Sequence, residues 1–368
     1  MAGDRVVAPW SIPRGLIVLL AGAGAVVVVV GIRAFAGVLG PVFLALMLTV
    51  AVQPVQGWVR RRGGPAWLGL LAALSTVVVV LVALVAALLF SVAQLGSELP
   101  HYADELGELL DGARELLAAA GISQDRIHAA FSDIDVGTVV SAVDGVLGGL
   151  LGVLTDLVFV LALLMFMAFD GMTIGPRMAV VARMRPDIAV AFGTFVDGTR
   201  SYLVVSTIFG FIVAVFDGAA LWLLGVPLPV LWALISFITN YIPNIGFVIG
   251  VIPPAALALL EGGPTLMLWV LVVYSVINVV IQSIIQPKFV GDAVGLSVTV
   301  TFLSLVFWGW VLGALGALLA VPLTLLVKAL LLDIDPTTRW VDVLIGSGGR
   351  GPDSPETDEA PGPAGAEG

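Results

Sequence analysis

Apolar runs recur along this chain at about residues 15–32, 35–53, 67–93, 146–169, 201–224, 229–242, 245–260, 265–286, 297–312 and 313–332. Several exceed the ~18 apolar residues that mark a spanning helix. Within a bilayer every backbone N–H and C=O must be satisfied inside the protein, which leaves helices and closed barrels as spanning elements. Only 11% of the residues are charged, against roughly 25% in ordinary soluble domains. The chain therefore reads as an all-α polytopic membrane protein of about eight membrane segments, with the lipid bilayer as its solvent.

Within these runs, TNYIPNIGFVIGVIPP at Thr239–Pro254 stands out. A plain span would carry only Leu, Val and Ile there. Broken helices at membrane depth are tolerated only against protein or a wet cavity, and transporters build substrate and ion sites from them.

Charge sets the expected orientation, because Lys and Arg favour the cytoplasmic side. With the N-terminus inside, only Arg33, Arg114 and Arg126 of the 16 basic residues fall outside. The run at 201–224 then leads outward and the run at 265–286 leads inward to Lys288. By parity, 229–260 starts and ends outside and forms a re-entrant or broken helical hairpin with its tip near Pro243–Gly246. The stretch 297–332 starts and ends inside, as a second hairpin turning near Trp310–Gly316. Both termini are expected in the cytoplasm.

Four regions follow. Residues 1–95 hold three N-terminal spans. Residues 96–145 leave the membrane as an external helical excursion, with Leu99, Tyr102, Leu106, Leu109, Ala113 and Leu116 at helical spacing among acidic residues. Residues 146–345 form a transport core with the hairpins at 229–260 and 297–332. The acidic, Gly- and Pro-rich tail at 346–368 is expected to be disordered.

Three motifs carry a family resemblance: LLGVPLPVLWALISFITNYIPNIGFVIGVIPP, QPKFVGDAVGLS and LVFWGWVLGALGALLAVPLT. In that order they resemble the signature half of the AI-2E family of transporters, also described as autoinducer-2 exporters or PerM-like permeases. The likeness covers roughly residues 10–335, with its motifs within about 195–328. It implies a bacterial inner-membrane protein with re-entrant hairpins that assembles as a homo-oligomer, a pentamer being the form implied. It also implies export of an autoinducer-2-like solute or, as in other members, Na⁺(Li⁺)/H⁺ antiport.

The residues offer candidate sites beside that resemblance. Pro243 lacks an N–H and disfavours a helical bond to the carbonyl of Thr239, which predicts freed carbonyls near Asn240 and Asn244. Pro253 and Pro254 are expected to act likewise on Ile249 and Gly250. Gly246 and Gly250 permit close helix approach. Ser275, Asn278, Gln282 and Gln286 fall at spacings that share one helix face. This neutral stripe suits a small polar solute better than a strongly charged one, and interhelical bonding is the structural alternative. Asp217 lies most nearly central in a span, where a carboxylate must be protonated, paired or hydrated. It is the candidate for proton coupling. Arg200 beside Asp197, and Lys288 with Asp292, read either as cytoplasmic anchors or as gating ion pairs.

Other classes find little support. With no basic patch beyond Arg60–Arg62, nucleic acid is not an expected partner. The chain has no cysteine, which excludes thiol catalysis, disulfides and Cys-ligated metals. No span carries a histidine, and neither H-E-x-x-H, G-x-S-x-G nor a Walker A sequence occurs. The expectation is a secondary transporter rather than an enzyme, with no cofactor, moving a small polar solute or a monovalent cation. A non-transport membrane scaffold would tolerate plain spans and would not need broken hairpins.

Overall fold

The computed structural model describes residues 13–121, 123, 136–243, 245–286 and 296–334. The described residues are helical throughout, with no strand among them. Six of the helices are long and apolar enough to cross a membrane, which makes this a multi-pass membrane protein.

Helices α1 (Arg14–Ala34), α2 (Ala36–Arg61) and α3 (Ala66–Glu98) form the N-terminal group. A short 3₁₀ turn at Leu99–Tyr102 leads into α4 (Ala103–Ala119). Helix α5 then runs unbroken over Val136–Met184, and α6 over Pro186–Leu224. At 1.5 Å per residue these two are about 74 and 58 Å long, well beyond a ~30 Å hydrocarbon core. The sequence shows two separate apolar runs there, at 146–169 and 201–224. Between them, residues 170–200 are also helical and turn as a helical hairpin. It turns at Arg185, with Pro186 at the first helical position, where its missing N–H costs nothing. Helix α5 starts at Val136, within the expected 96–145 excursion, and its apolar stretch runs over Gly145–Gly171. Residues 124–135 and 335–368, including the acidic tail, lie outside the described residues.

Helix α6 ends on Gly225, whose φ of 76° is left-handed, and Val226 N–H returns to Leu221 O over 2.9 Å. Glycine is the residue that closes a helix in this way at no steric cost. Leu228 also has positive φ, 58°, a strained setting for a branched side chain, and it leads into α7 (Pro229–Thr239). After a tight turn, α8 covers Gly246–Asn278. Helix α8 is interrupted at Gly262 and Gly263, the latter at φ 71°, so the hairpin is α7 plus the arm Gly246–Glu261. Its first arm has 11 residues, shorter than the expected 229–242. Pro253 and Pro254 sit inside the second arm without breaking it. The break expected of them lies instead at the two glycines. A wider π turn, Val279–Ile285, continues α8.

The second hairpin is α9 (Val298–Leu312), α10 (Ala314–Leu318) and α11 (Ala320–Lys328), with a π turn at Ala329–Asp333. Ser297 caps α9 by accepting from Val300 N–H. Gly313, at φ 68°, makes the turn. Trp308 Nε1–H donates to Thr324 Oγ1 over 3.0 Å and ties the two arms. Trp308 is thus a buried hairpin residue, while Trp310 is exposed beneath the Arg33 guanidinium at 4.3 Å.

The two hairpins point in opposite directions. The first has its base beside Gly218 of α6, where a Cβ would meet Ala233, and its tip beside Gly210, where a Cβ would meet Asn240. It therefore runs toward the α6 N-terminus. The second hairpin has its base there, with Leu325 against Gly198, and its tip residue Leu315 against Gly40 of α2. Gln53, at the Arg200 level, is 13 residues further along α2. This places the second tip about 20 Å away from Arg200.

Candidate functional site

The buried residues of α6 include Thr199, Tyr202, Ser206, Gly210, Val213 and Asp217, a helical stripe on which the first hairpin seats. A side chain at Gly210 would collide with Asn240, so this glycine lets the hairpin tip reach α6. There Asn240 Nδ2 donates to Ser206 O over 3.3 Å. Tyr202 Oη donates to Tyr241 O over 2.5 Å, and Tyr241 Oη meets Thr207 Oγ1 at 2.6 Å. These three polar contacts hold the tip to α6.

The tip itself satisfies its backbone. Ile242 N–H donates to Thr239 O over 2.8 Å, and Gly246 N–H donates to Ile242 O over 2.9 Å. The Thr239 carbonyl is therefore not freed by Pro243, as the sequence had suggested. A turn spends the acceptor that a helix would have wasted. Pro243 sits half-buried in this turn, its own carbonyl accepting from Ile245 N–H. Gly246 is required by contact: a Cβ there would overlap the Thr239 carbonyl. A Cβ at Gly250 would meet Thr239 Oγ1 at 3.0 Å.

Above this turn, Asp217, Ser236, Thr239, Asn240, Gly246 and Phe247 line a small cavity together with Gly250, Tyr274, Asn278 and Gln282. Asp217 is 1% exposed, and neither carboxylate oxygen has a hydrogen-bond partner in the structure. Tyr274 is equally buried, and its hydroxyl also lacks one. Ser236 lies beside both. An ionised carboxylate taken out of water costs several kcal/mol unless it is paired. The Ser236 hydroxyl is the nearest side-chain donor to Asp217, and the site has room for a proton or a small ligand beside the carboxylate. Free space in the cavity amounts to about one water-sized body.

Carboxamides close the cavity beside the hairpin tip. Gln282 Nε2 donates to Asn240 Oδ1 over 2.7 Å and to Asn278 Oδ1 over 2.8 Å. Asn278 Nδ2 in turn donates to Tyr274 O over 3.0 Å. Gln282 lies within the π turn, a helix variant found mostly at functional positions.

The structure thus brings Asp217, Thr239, Asn240, Gly246, Asn278 and Gln282 to one place. It does not bring Ser275, which is exposed and bonds its own helix at Leu271 O. The buried line on α8 is Tyr274–Asn278–Gln282 instead, at i, i+4, i+8. Gln286 lies one turn past the cavity and does not line it. Arg200 sits within α6, not at a helix start, and is also remote from the cavity. Its guanidinium bonds Gln53 of α2 as well as Asp197, the latter at 3.4 Å. Asn244, Lys288 and Asp292 lie outside the described residues.

Sequence reasoning missed Ser236, Phe247 and Tyr274 as lining residues. Tyr274 carried a signal: it is a lone phenol among aliphatic residues, four positions before Asn278. Ser236 had none, since a single serine in a membrane helix usually bonds its own backbone.

Residues 16–335 match a family described as AI-2E family transporter. Among similar proteins, "AI-2 transport protein TqsA" of Escherichia coli K12 is 34% identical over 305 residues, covering 82% of this chain and 88% of that protein. "Putative transport protein YhhT" of the same organism is 32% identical, covering 87% and 91%. A "Putative transport protein" of Haemophilus influenzae is 30% identical, covering 89% and 95%.

Proposed function

Since the chain belongs to the AI-2E transporter family, we propose that it is a secondary transporter exporting a small polar solute of the autoinducer-2 type. Alternating access would come from movement of the first hairpin against the rest of the bundle. The cavity around Asp217 carries this reading. It joins an unpartnered carboxylate, an unpartnered phenol and three carboxamides at a broken helix. Such groups complement hydroxyls, each able to donate to Asp217 and accept from an amide. Among the described residues no Lys or Arg lines the cavity, so anionic cargo meets no counter-charge from them. With room for about one water, this conformation is closed, and a solute of several heavy atoms needs the hairpin to move. The name of one similar protein, an AI-2 transport protein, supports the same cargo.

The setting that this reading carries is the cytoplasmic membrane of a bacterium, with both termini inside and the chain in a homo-oligomer, a pentamer being the form that the family resemblance implies.

The reading is tested in proteoliposomes by following efflux of autoinducer-2 with and without an imposed pH gradient. Gradient-stimulated efflux that Asp217→Asn loses is the expected result. Efflux no faster than from protein-free liposomes would sink it.

The size of the cavity favours one second reading, Na⁺(Li⁺)/H⁺ antiport with Asp217 as the shared proton and cation ligand. Oxygens of Ser236 and Thr239 would assist, since hard cations take oxygen ligands. A pH dye inside the liposomes would report Na⁺- or Li⁺-dependent recovery. Absence of any recovery dismisses antiport and leaves solute export untouched.

A further inference from the structure

We infer that the first hairpin is a gate whose tip is latched at the cavity by Gln282, so that the Gln282–Asn240 bond must break for the Asp217 cavity to open. The inference rests on the reading of that cavity as the transport site and adds the moving part and its catch.

Three observations carry it. The first is that the hairpin is bounded by conformational breaks at both ends. Gly225 and Leu228 precede it with φ of 76° and 58°, and Gly262 and Gly263 follow it, Gly263 at φ 71°. Hinges are a few such terminal positions that absorb backbone rotation. Between the breaks the backbone is tied into one unit: α7 is capped by the turn, and Gly246 is packed on the Thr239 carbonyl. A unit so joined moves as a body rather than by bending.

The second is that the bonds at the cavity are of two kinds. At the cavity, Asn240 Nδ2 to Ser206 O is long at 3.3 Å, whereas Gln282 Nε2 to Asn240 Oδ1 is 2.7 Å; outside the cavity lining, Tyr241 is also held to α6 through Tyr202 at 2.5 Å and Thr207 at 2.6 Å. Gln282 shares its amide between Asn240 on the hairpin and Asn278 on its own helix. Release of Asn240 leaves Gln282 bonded to Asn278 through one N–H and frees the other N–H, together with Asn240 Oδ1, for a new partner. Left unsatisfied, a freed buried donor or acceptor costs about 1–3 kcal/mol, so the latch opens when a solute takes the place of one of its partners.

The third is position. Gln282, Asn240 and Asn278 line the same cavity as Asp217. A hydroxylated solute reaching Asp217 would compete for the same Asn240 Oδ1, so cargo binding and latch release are linked. At the far end of the hairpin, Glu261, next to the Gly262 break, accepts from Tyr102 Oη over 2.8 Å. This bond anchors the hinge end while the tip swings.

The chain has no cysteine, so an N240C/Q282C pair is the only thiol pair in the protein. It is joined in proteoliposomes with a short bis-methanethiosulfonate, and efflux of autoinducer-2 and Na⁺-dependent pH recovery are both followed. Efflux or recovery should fall at least tenfold on cross-linking and return on reduction. Activity before cross-linking and after reduction shows that the variant is folded. Complete cross-linking with unchanged activity overturns the latch. Asp217→Asn is run beside it. If Asp217→Asn loses coupling while cross-linking does nothing, the site stands and the latch falls. If cross-linking blocks flux while Asp217→Asn is normal, the latch stands and the coupling role of Asp217 falls. Should the pair be inactive before cross-linking, Ser236→Cys read by a charged thiol reagent replaces flux. Adding Gln282→Leu should speed its labelling several-fold, and an unchanged rate overturns the latch.

Discussion

Gln282 and Asn240, 42 residues apart, meet through one 2.7 Å hydrogen bond that joins the membrane helix after the first hairpin to the hairpin's tip. Neither residue is charged, so the contact does not depend on salt or pH, and it costs little to break. Gln282→Leu removes it together with the Gln282–Asn278 bond, leaving Asn240 Oδ1 and Asn278 Oδ1 without that donor. Bonds between membrane helices are worth about 0.6–2 kcal/mol, so a loss of stability in that range is expected. Thermal unfolding in detergent, followed by size-exclusion, should show a small drop, while Val279→Leu, exposed on the same π turn, should show none.

Gly246 and Gly316 play the same part in the two hairpins. A Cβ at Gly246 would overlap the carbonyl of Thr239, and one at Gly316 would overlap the carbonyl of Trp308. Both obstacles are backbone and cannot rotate away. Gly246→Ala and Gly316→Ala should each cost at least the ~1–3 kcal/mol typical of overpacking. Gly250→Ala meets a movable hydroxyl at 3.0 Å and should cost less. Gly22→Ala, with nothing within 4 Å, should not destabilise. The order of yields of monodisperse protein checks this ranking.

Tyr274 separates packing from chemistry. Its ring is buried and its hydroxyl has no hydrogen-bond partner. Removing an unpartnered hydroxyl from a buried site loses no bond, so Tyr274→Phe should hold or raise thermal stability. If the hydroxyl contacts cargo, the same variant should weaken transport, by about tenfold for one lost hydrogen bond of ~1.4 kcal/mol. Normal transport with normal stability would remove Tyr274 from the site.

Arg200 joins α6 to α2 through Gln53 and bonds Asp197 at 3.4 Å. Asp197 is largely exposed, and exposed pairs contribute about 0–1 kcal/mol. Gln53 is then the more important partner. Gln53→Leu should destabilise more than Asp197→Asn, as read by thermal unfolding. The reverse order would restore the ion-pair reading of Arg200.

The sequence was most informative where chemistry is unusual for its surroundings. Asp217, Asn240, Asn278 and Gln282 are polar residues in apolar runs, and each is costly enough in lipid to imply a partner. The structure puts all four around one cavity. Where the sequence misled, it did so through local rules. Helical spacing put Ser275 on the face of Asn278, but the face that packs is the one carrying Tyr274. Proline chemistry predicted a free carbonyl at Thr239, but a turn supplied Ile242 N–H. Apolarity marked runs ending at 169 and starting at 201, while backbone bonds carry α5 and α6 on through the polar residues between them.

By itself, then, the sequence determined that this chain spans a membrane as helices and that two of its segments are broken. Hydrophobic length, proline and glycine act locally and can be read residue by residue. Only the tertiary structure decided which polar groups meet. Ser236, Asn240, Tyr274 and Gln282 come from different elements, and their meeting depends on how closely backbones approach. Glycines at 210, 218 and 246 set that approach, because a single Cβ at any of them would hold the helices apart.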